Sequence, residues 1–345
     1  MKKHIGYFKI KQYRNVIKDI IHSTHYDGQT EDGEVKYDYT KKLPTLIFNG
    51  TVKLHGTNAS VCYNDEDGVY AQSRTRVLSI NSDNHGFAFF VKSKLFSFEQ
   101  LFDEIIDEYE INTKTHTISI FGEWAGIGIQ SGVGIAQLPK SFYIFGLKIT
   151  KISDELNSES YWLDSSNLRN RENNIFNVED YKTYKIEIDF DNPKLVQNKF
   201  VEIVKEVELE CPIAKAFGIN TGTGEGVVFK TRYKDQIYMF KVKGKKHSVT
   251  KVKTLVSVDV EKLNSINEFV EYAVTENRFK QSLQIIFENE SIDIKKLGEV
   301  IRWNVRDIIS EELDTMNENN LVSKDVNKSI SKKVKEMFFK EWDNI

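Results

Sequence analysis

Glycine is spread so unevenly along this 345-residue chain that it limits what each part can become. Of 19 glycines, only Gly298 lies beyond residue 254. Glycine weakens helix interiors but serves tight turns and close backbone approach. The pattern predicts an α+β region rich in strands and turns over residues 1–250, then a small all-α domain over 251–345. A chain of this length suits about two domains, at roughly 100–200 residues each.

Within the first region, Ile10–His22 reads as a short helix and Tyr26–Lys42 as a polar loop. Thr57–Tyr63 and Gly68–Ser73 read as strands joined by an Asn-Asp-Glu-Asp-Gly turn. Lys92–Tyr109 carries Leu95, Phe98, Leu101, Phe102, Ile105 and Ile106 at helical spacing, an amphipathic helix packing on a sheet. Further strands are expected at Thr115–Phe121, Ser141–Thr150 and Gln236–Lys243, with a helix at Asn198–Glu208. Beyond residue 254, helices are expected at Val260–Glu276, Arg278–Glu288, Ile294–Asp314 and Ser323–Trp342.

Charge and cysteine usage exclude some classes of protein. The formal net charge is −3, so no global basic field announces a polyanion partner. A local one exists: residues 230–253 hold nine Lys or Arg against Asp235 alone. The 95 residues from Lys251 onward carry 15 basic and 18 acidic side chains, which is no clamp by net charge. The basic run 245–253 reads either as a solvated linker or as a hinge contacting backbone phosphate. Two cysteines make a disulfide framework or a cysteine-rich zinc site unlikely and fit a reducing cytoplasm. No secretory leader or membrane span is visible.

Polar residues at predicted strand ends carry the chemistry. Lys53 sits between apolar Val52 and Leu54 and is followed by His55-Gly56-Thr57-Asn58. A lysine so placed can be desolvated and attack an electrophile, or it can simply be solvated at a strand end. Later come Arg74, Glu123 ahead of three glycines, Glu225 in a glycine-rich turn, and Lys241 and Lys243 on one face of a strand. Several cations with two carboxylates suit a phosphoanhydride: cations neutralise phosphate oxygens, and a carboxylate can hold Mg²⁺.

Lys53-Leu-His-Gly-Thr-Asn58 resembles the nucleophile motif of the covalent nucleotidyltransferases, in the form used by the RNA ligase 2 family. Further motifs occur in that family's order: Ser73-Arg74-Thr75, Phe121–Gln130, Phe142–Phe145, Glu225–Lys230 and Lys241-Val-Lys243. The resemblance spans most of residues 45–343. It implies an antiparallel-sheet adenylyltransferase domain (ATP-grasp-like ligase) followed by a helical domain. It further implies an ATP-dependent RNA ligase that forms lysyl-AMP, passes AMP to a 5′-phosphate RNA end and seals it to a 3′-OH, at nicks in duplex RNA.

Residue by residue, the resemblance has Lys53 take AMP from ATP beside Leu54, with Phe145 stacked on adenine and Glu123 on the ribose hydroxyls. Glu225 helps hold Mg²⁺ or Mn²⁺, and Lys241 and Lys243 contact the α-phosphate. His55, Asn58 and Arg74 bind phosphates or set up later steps. Lys230 also matches, but regular alternation would point it away from Glu225. A monomer acting on RNA in the cytoplasm is expected, in the host cytoplasm for a phage-encoded member. The bland alternatives are a turn histidine at 55, a surface cation at 74, a core ring at 145 and a packing Trp124. Gly146 and Val52 stand where one member of that family has acidic residues. The rival functions are a DNA ligase or capping enzyme, and a nucleic-acid-binding relative without catalysis.

Overall fold

A computed structural model describes residues 2–8, 10–153, 158–244, 266–287, 291–318 and 321–342. The chain divides into two compact units, Met1–Val242 and Lys243–Ile345. The basic run 245–253 and the expected start of the helix at Val260 lie outside the described residues.

In chain order the first unit runs α1 (Tyr13–His25), β1 (Tyr26–Gln29), β2 (Val35–Tyr37), β3 (Thr45–Lys53), β4 (Thr57–Asn64) and β5 (Gly68–Ser73). It continues α2 (Phe87–Ser93), α3 (Leu95–Tyr109), β6 (His116–Ala125), β7 (Ser141–Lys151), β8 (Ser160–Leu163) and β9 (Ile175–Asn177). Then come β10 (Thr183–Asp189), α4 (Gln197–Leu209), α5 (Pro212–Ala216), β11 (Gly226–Tyr233) and β12 (Gln236–Lys243). One sheet has the order β10-β3-β11-β12, the other β5-β4-β6-β7-β8. The fold is α+β, and its sheets are antiparallel except that β9 pairs with β7 in parallel.

Alternation divides the labour in each sheet. In the larger one, Ala59, Val61, Ile118, Ile120, Trp124 and Ile144 point to a buried core with Phe87 and Phe90 of α2 and Phe98, Leu101, Phe102 and Ile105 of α3. That spacing is the apolar stripe of an amphipathic helix. Trp124 is thus packing, 4.6 Å from the Phe90 ring, and its Nε1 donates to His85 O. The opposite face carries Asn58, Ser60, Phe121 and Glu123, paired Asn58 with Glu123 and Ser60 with Phe121. In the smaller sheet, Phe48, Phe229 and Phe240 are fully buried against Phe200 of α4 and Tyr13 of α1.

The structure departs from the sequence reading in two places. The helix expected from Lys92 is two helices, α2 and α3, broken at Lys94. The Asp83 carboxylate accepts the N–H groups of Ala88 and Phe89, so α2 has a side-chain anchor that hydrophobic periodicity does not reveal. The polar stretch 26–42 contains the β1–β2 hairpin. Its rings stack sideways, Tyr37 on Tyr39 and His22 on Tyr26, instead of burying a face.

The second unit contains α6 (Ile266–Ala273), α7 (Glu276–Phe287), α8 (Leu297–Glu318) and α9 (Ser323–Trp342). Phe269, Phe279, Val300, Ile308, Ile330 and Phe338 belong to one core. No described helix is long and apolar enough to cross a membrane.

Candidate active site

Lys53 is the last residue of β3, and Leu54-His55-Gly56 carries the chain from the smaller sheet into β4 of the larger one. The lysine therefore stands at a crossing between two sheets. Leu54 is buried and anchors this crossing. Gly56 is glycine for a steric reason: a Cβ there would lie 2.4 Å from Trp124 O and 2.8 Å from the Ala125 methyl. The crossing is pinned from both sides. The Gly56 N–H donates to Glu123 Oε1 at 3.0 Å, and Gln130 Nε2 donates to Gly56 O at 3.3 Å.

Glu225 arrives from the smaller sheet, the one that carries Lys53. Gly226, the first residue of β11, is paired with Lys53, so the register sets the preceding glutamate beside the lysine. Lys53 Nζ lies 2.6 Å from Glu225 Oε2, and His55 Nδ1 lies 3.6 Å from the same oxygen. Lys53 Nζ also donates to Leu54 O at 3.3 Å. The Lys53 side chain is 20% exposed and that of Glu225 3%, so the pair is shielded but the amine is accessible. Burial raises the Glu123 carboxyl above the usual glutamate value; Lys53 opposes that rise and Glu225 adds to it. Two carboxylates and one ammonium thus share a partly dry site, where each charge weighs more than in water.

The other expected residues distribute as follows. Asn58 pairs with Glu123 across β4 and β6. Phe145 sits at a bulge of β7, where Phe121 opposes Gly146 and Gly122 opposes Ile144. Met239 and Lys241 of β12 alternate with fully buried Phe240, which puts them on the opposite face of the strand from that ring, where Met239 is buried too; Lys243 ends the strand. Lys230 pairs with Asn49, four residues from Lys53 on β3, so it shares the face of Lys53. Glu225 precedes the first residue of β11, and Gly226 there has φ +153°. Arg74 is exposed in the bend after β5, and no described contact joins it to the Lys53 cluster.

Sequence reasoning assigned no role to Gln130, whose amide holds the Gly56 carbonyl. Gln130 belongs to the glycine-rich stretch after Glu123, the one signal that pointed to it. For a divalent ion, among the described residues no group of three or more His, Cys, Asp or Glu is placed to hold one. Mg²⁺ commonly needs only one or two carboxylates beside water and substrate phosphates. Buried Glu225, with Glu123 near the same lysine, fits that smaller demand.

Lys53 thus stands at the crossing of two sheets, 2.6 Å from Glu225 and beside the turn that Glu123 holds. The family model described as RNA ligase matches residues 47–243, more than half of the chain. The chain belongs to the RNA ligase family. Among solved structures it is similar to Naegleria gruberi RNA ligase with PPi, at 15% identity and a TM-score of 0.40. It is likewise similar to a mutant of that ligase with ATP and Mn, at 16% identity and a TM-score of 0.40. Each comparison covers 70% of this chain and 56% of the other, so the chain spans little more than half the length of those ligases. No curated protein matches the chain.

Proposed function

We propose that the protein is an ATP-dependent RNA ligase, with the adenylyltransferase site in the first domain, and that Lys53 is its nucleophile. The observation that carries the reading is the Lys53–Glu225 pair at the crossing of the sheets, 2.6 Å long and shielded from water. In the first step the pair opens and the amine gives up a proton. Lys53 Nζ then attacks the α-phosphorus of ATP; a P–N bond forms, the α–β P–O bond breaks and pyrophosphate leaves. In the second, a 5′-phosphate oxygen of RNA attacks the same phosphorus, the P–N bond breaks and Lys53 is reprotonated. In the third, an RNA 3′-hydroxyl attacks the 5′-phosphorus, loses its proton and expels AMP.

Glu225 holds Lys53 in place before attack and would hold a divalent cation afterwards; Mg²⁺ or Mn²⁺, when bound, neutralises phosphate charge as it shifts. Glu123 keeps the Gly56 turn closed and offers its second oxygen to ribose hydroxyls. Lys241 and Lys243 face the α-phosphate, Phe145 takes the adenine ring, and His55, Asn58 and Lys230 border the phosphates. Arg74 reaches phosphate only if its bend closes over the site. The acceptor is a nick in duplex RNA with 5′-phosphate and 3′-hydroxyl ends.

Incubation with α-³²P-ATP and Mg²⁺, followed by denaturing electrophoresis, tests the reading. A labelled band that is absent in Lys53→Ala and absent with GTP is expected. Protein stripped of bound AMP that takes no label would leave a binding module instead. Nicked duplex RNA, single-stranded RNA and nicked DNA then separate the acceptors.

A further inference from the structure

Ahead of α1, the described residues 2–8 form no strand or helix, yet they cross the open face of the larger sheet from edge to edge. At the β5 edge the Tyr70 hydroxyl donates to Lys3 O at 3.0 Å. Buried Gln72 accepts the Ile5 N–H at 3.0 Å and donates to Ile5 O. Lys148 of β7 donates to Gly6 O at 3.3 Å. Tyr7 then meets Phe121 of β6, Phe145 of β7 and Trp162 of β8, with ring centroids 5.1, 5.0 and 5.1 Å away. The segment next joins the smaller sheet, where Lys11 N–H donates to Met239 O at 3.2 Å.

Tyr7 thus stands where the two sheets face each other, on the side that carries Phe121 and Glu123. Gly146 makes room for it: a Cβ there would come 3.3 Å from both the Tyr7 and the Trp162 rings. The Tyr7 and Trp162 rings thus occupy the space beside Gly146 that a side chain there would take. The Tyr7 hydroxyl donates to Met239 Sδ at 3.5 Å. A thioether is a weak acceptor, whereas a phenol among apolar groups commonly holds a stronger partner. The Tyr7 and Phe145 rings are inclined at 68° and do not stack on each other. The Tyr7 hydroxyl is thus carried beside Phe145 by a ring set edgewise to it.

We propose that Tyr7 is a nucleobase-positioning residue, carried into the nucleotide site by the N-terminal segment, whose hydroxyl bonds the edge of the purine. The proposal rests on the ATP-site reading above. Its chemistry is a hydrogen bond exchanged from the Met239 sulfur to a ring nitrogen or amino group.

The test is adenylylation kinetics of wild type, Tyr7→Phe and Tyr7→Ala, with melting curves for each. The substrates are ATP and analogues lacking in turn N1, N3, N7 or the 6-amino group. Tyr7→Phe keeps the ring and its packing. It is expected to raise KM for ATP about fivefold, the effect of one ordinary hydrogen bond, with the maximal rate unchanged. One analogue should be penalised by wild type and not by Tyr7→Phe. A wild-type KM in Tyr7→Phe, or analogue penalties identical in the two proteins, overturns the proposal. A wild type that takes no label from ATP overturns the ATP-site reading itself, a distinct result.

Discussion

Lys53 and Glu225, 172 residues apart, are joined by a 2.6 Å ion pair because Gly226 pairs with Lys53 in the β3–β11 register. The carboxylate is 3% exposed, so its charge is held mainly by Lys53 and the nearby His55. Glu225→Gln keeps the volume and loses the charge. Labelling from α-³²P-ATP should fall by about 10²-fold, the loss expected when a preorganised charge is removed from a catalytic site. Near-wild-type labelling would mean that Glu225 only fills space.

Gly56→Ala should damage the same site by sterics alone. Its new methyl would lie 2.4 Å from Trp124 O, a backbone atom that cannot swing aside, and 3.0 Å from Glu123 Cγ. The expected loss is roughly 1–3 kcal/mol of unfolding free energy, typical of overpacking. A drop in labelling larger than the unfolded fraction explains should accompany it. Urea titration and labelling on the same preparation check both; an unperturbed midpoint would contradict the close contact.

What the sequence made legible was the set of residues at strand ends. Lys53, Glu123 and Glu225 each announce themselves as a charge beside glycines or apolar neighbours. The same glycine pattern marked the change to a helical texture. What stayed hidden depended on pairing between distant strands. The closeness of Lys53 and Glu225 was hidden in this way, because it depends on Gly226 pairing with Lys53 across the β3–β11 register. Tyr7 left no trace because its partners, Phe121, Phe145 and Trp162, are more than a hundred residues away and its own neighbourhood shows no period. The β1–β2 hairpin was hidden because exposed tyrosines and histidines hold it, not an alternating apolar face.

The pH dependence of stability should carry the mark of Glu123. Burial raises its carboxyl above the usual value in the folded state. The folded chain therefore binds this proton more tightly than the unfolded chain. That contribution is full below the unfolded glutamate value and is lost as pH rises through the folded one. Glu123→Gln does not titrate, and its amide oxygen can still accept the Gly56 N–H. The mutant should gain stability relative to wild type as pH rises from about 4.3, the free glutamate value, towards neutrality, with the difference flat below it. Melting curves from pH 4 to 7 test this; a difference that moves the other way would show that Lys53 outweighs burial.

In the second unit, Arg278 is fully buried. Its Nε donates to Asp307 Oδ2 at 2.8 Å and its Nη1 to Ala273 O at 2.6 Å, while Nη2 lies 3.8 Å from Glu312 Oε1. The guanidinium thus ties the end of α6 to two carboxylates of α8. Arg278→Ala would leave buried Glu312 without its cation, and breaking a buried pair in this way costs about 3–5 kcal/mol. Arg278→Lys should recover little, because an ammonium lacks the planar fork that reaches Asp307 and Ala273 O at once. Denaturant unfolding of the full chain, followed by circular dichroism at 222 nm, should show the helical transition at lower denaturant for both variants. Full rescue by lysine would reduce the role of Arg278 to charge alone and remove the geometric part of the argument.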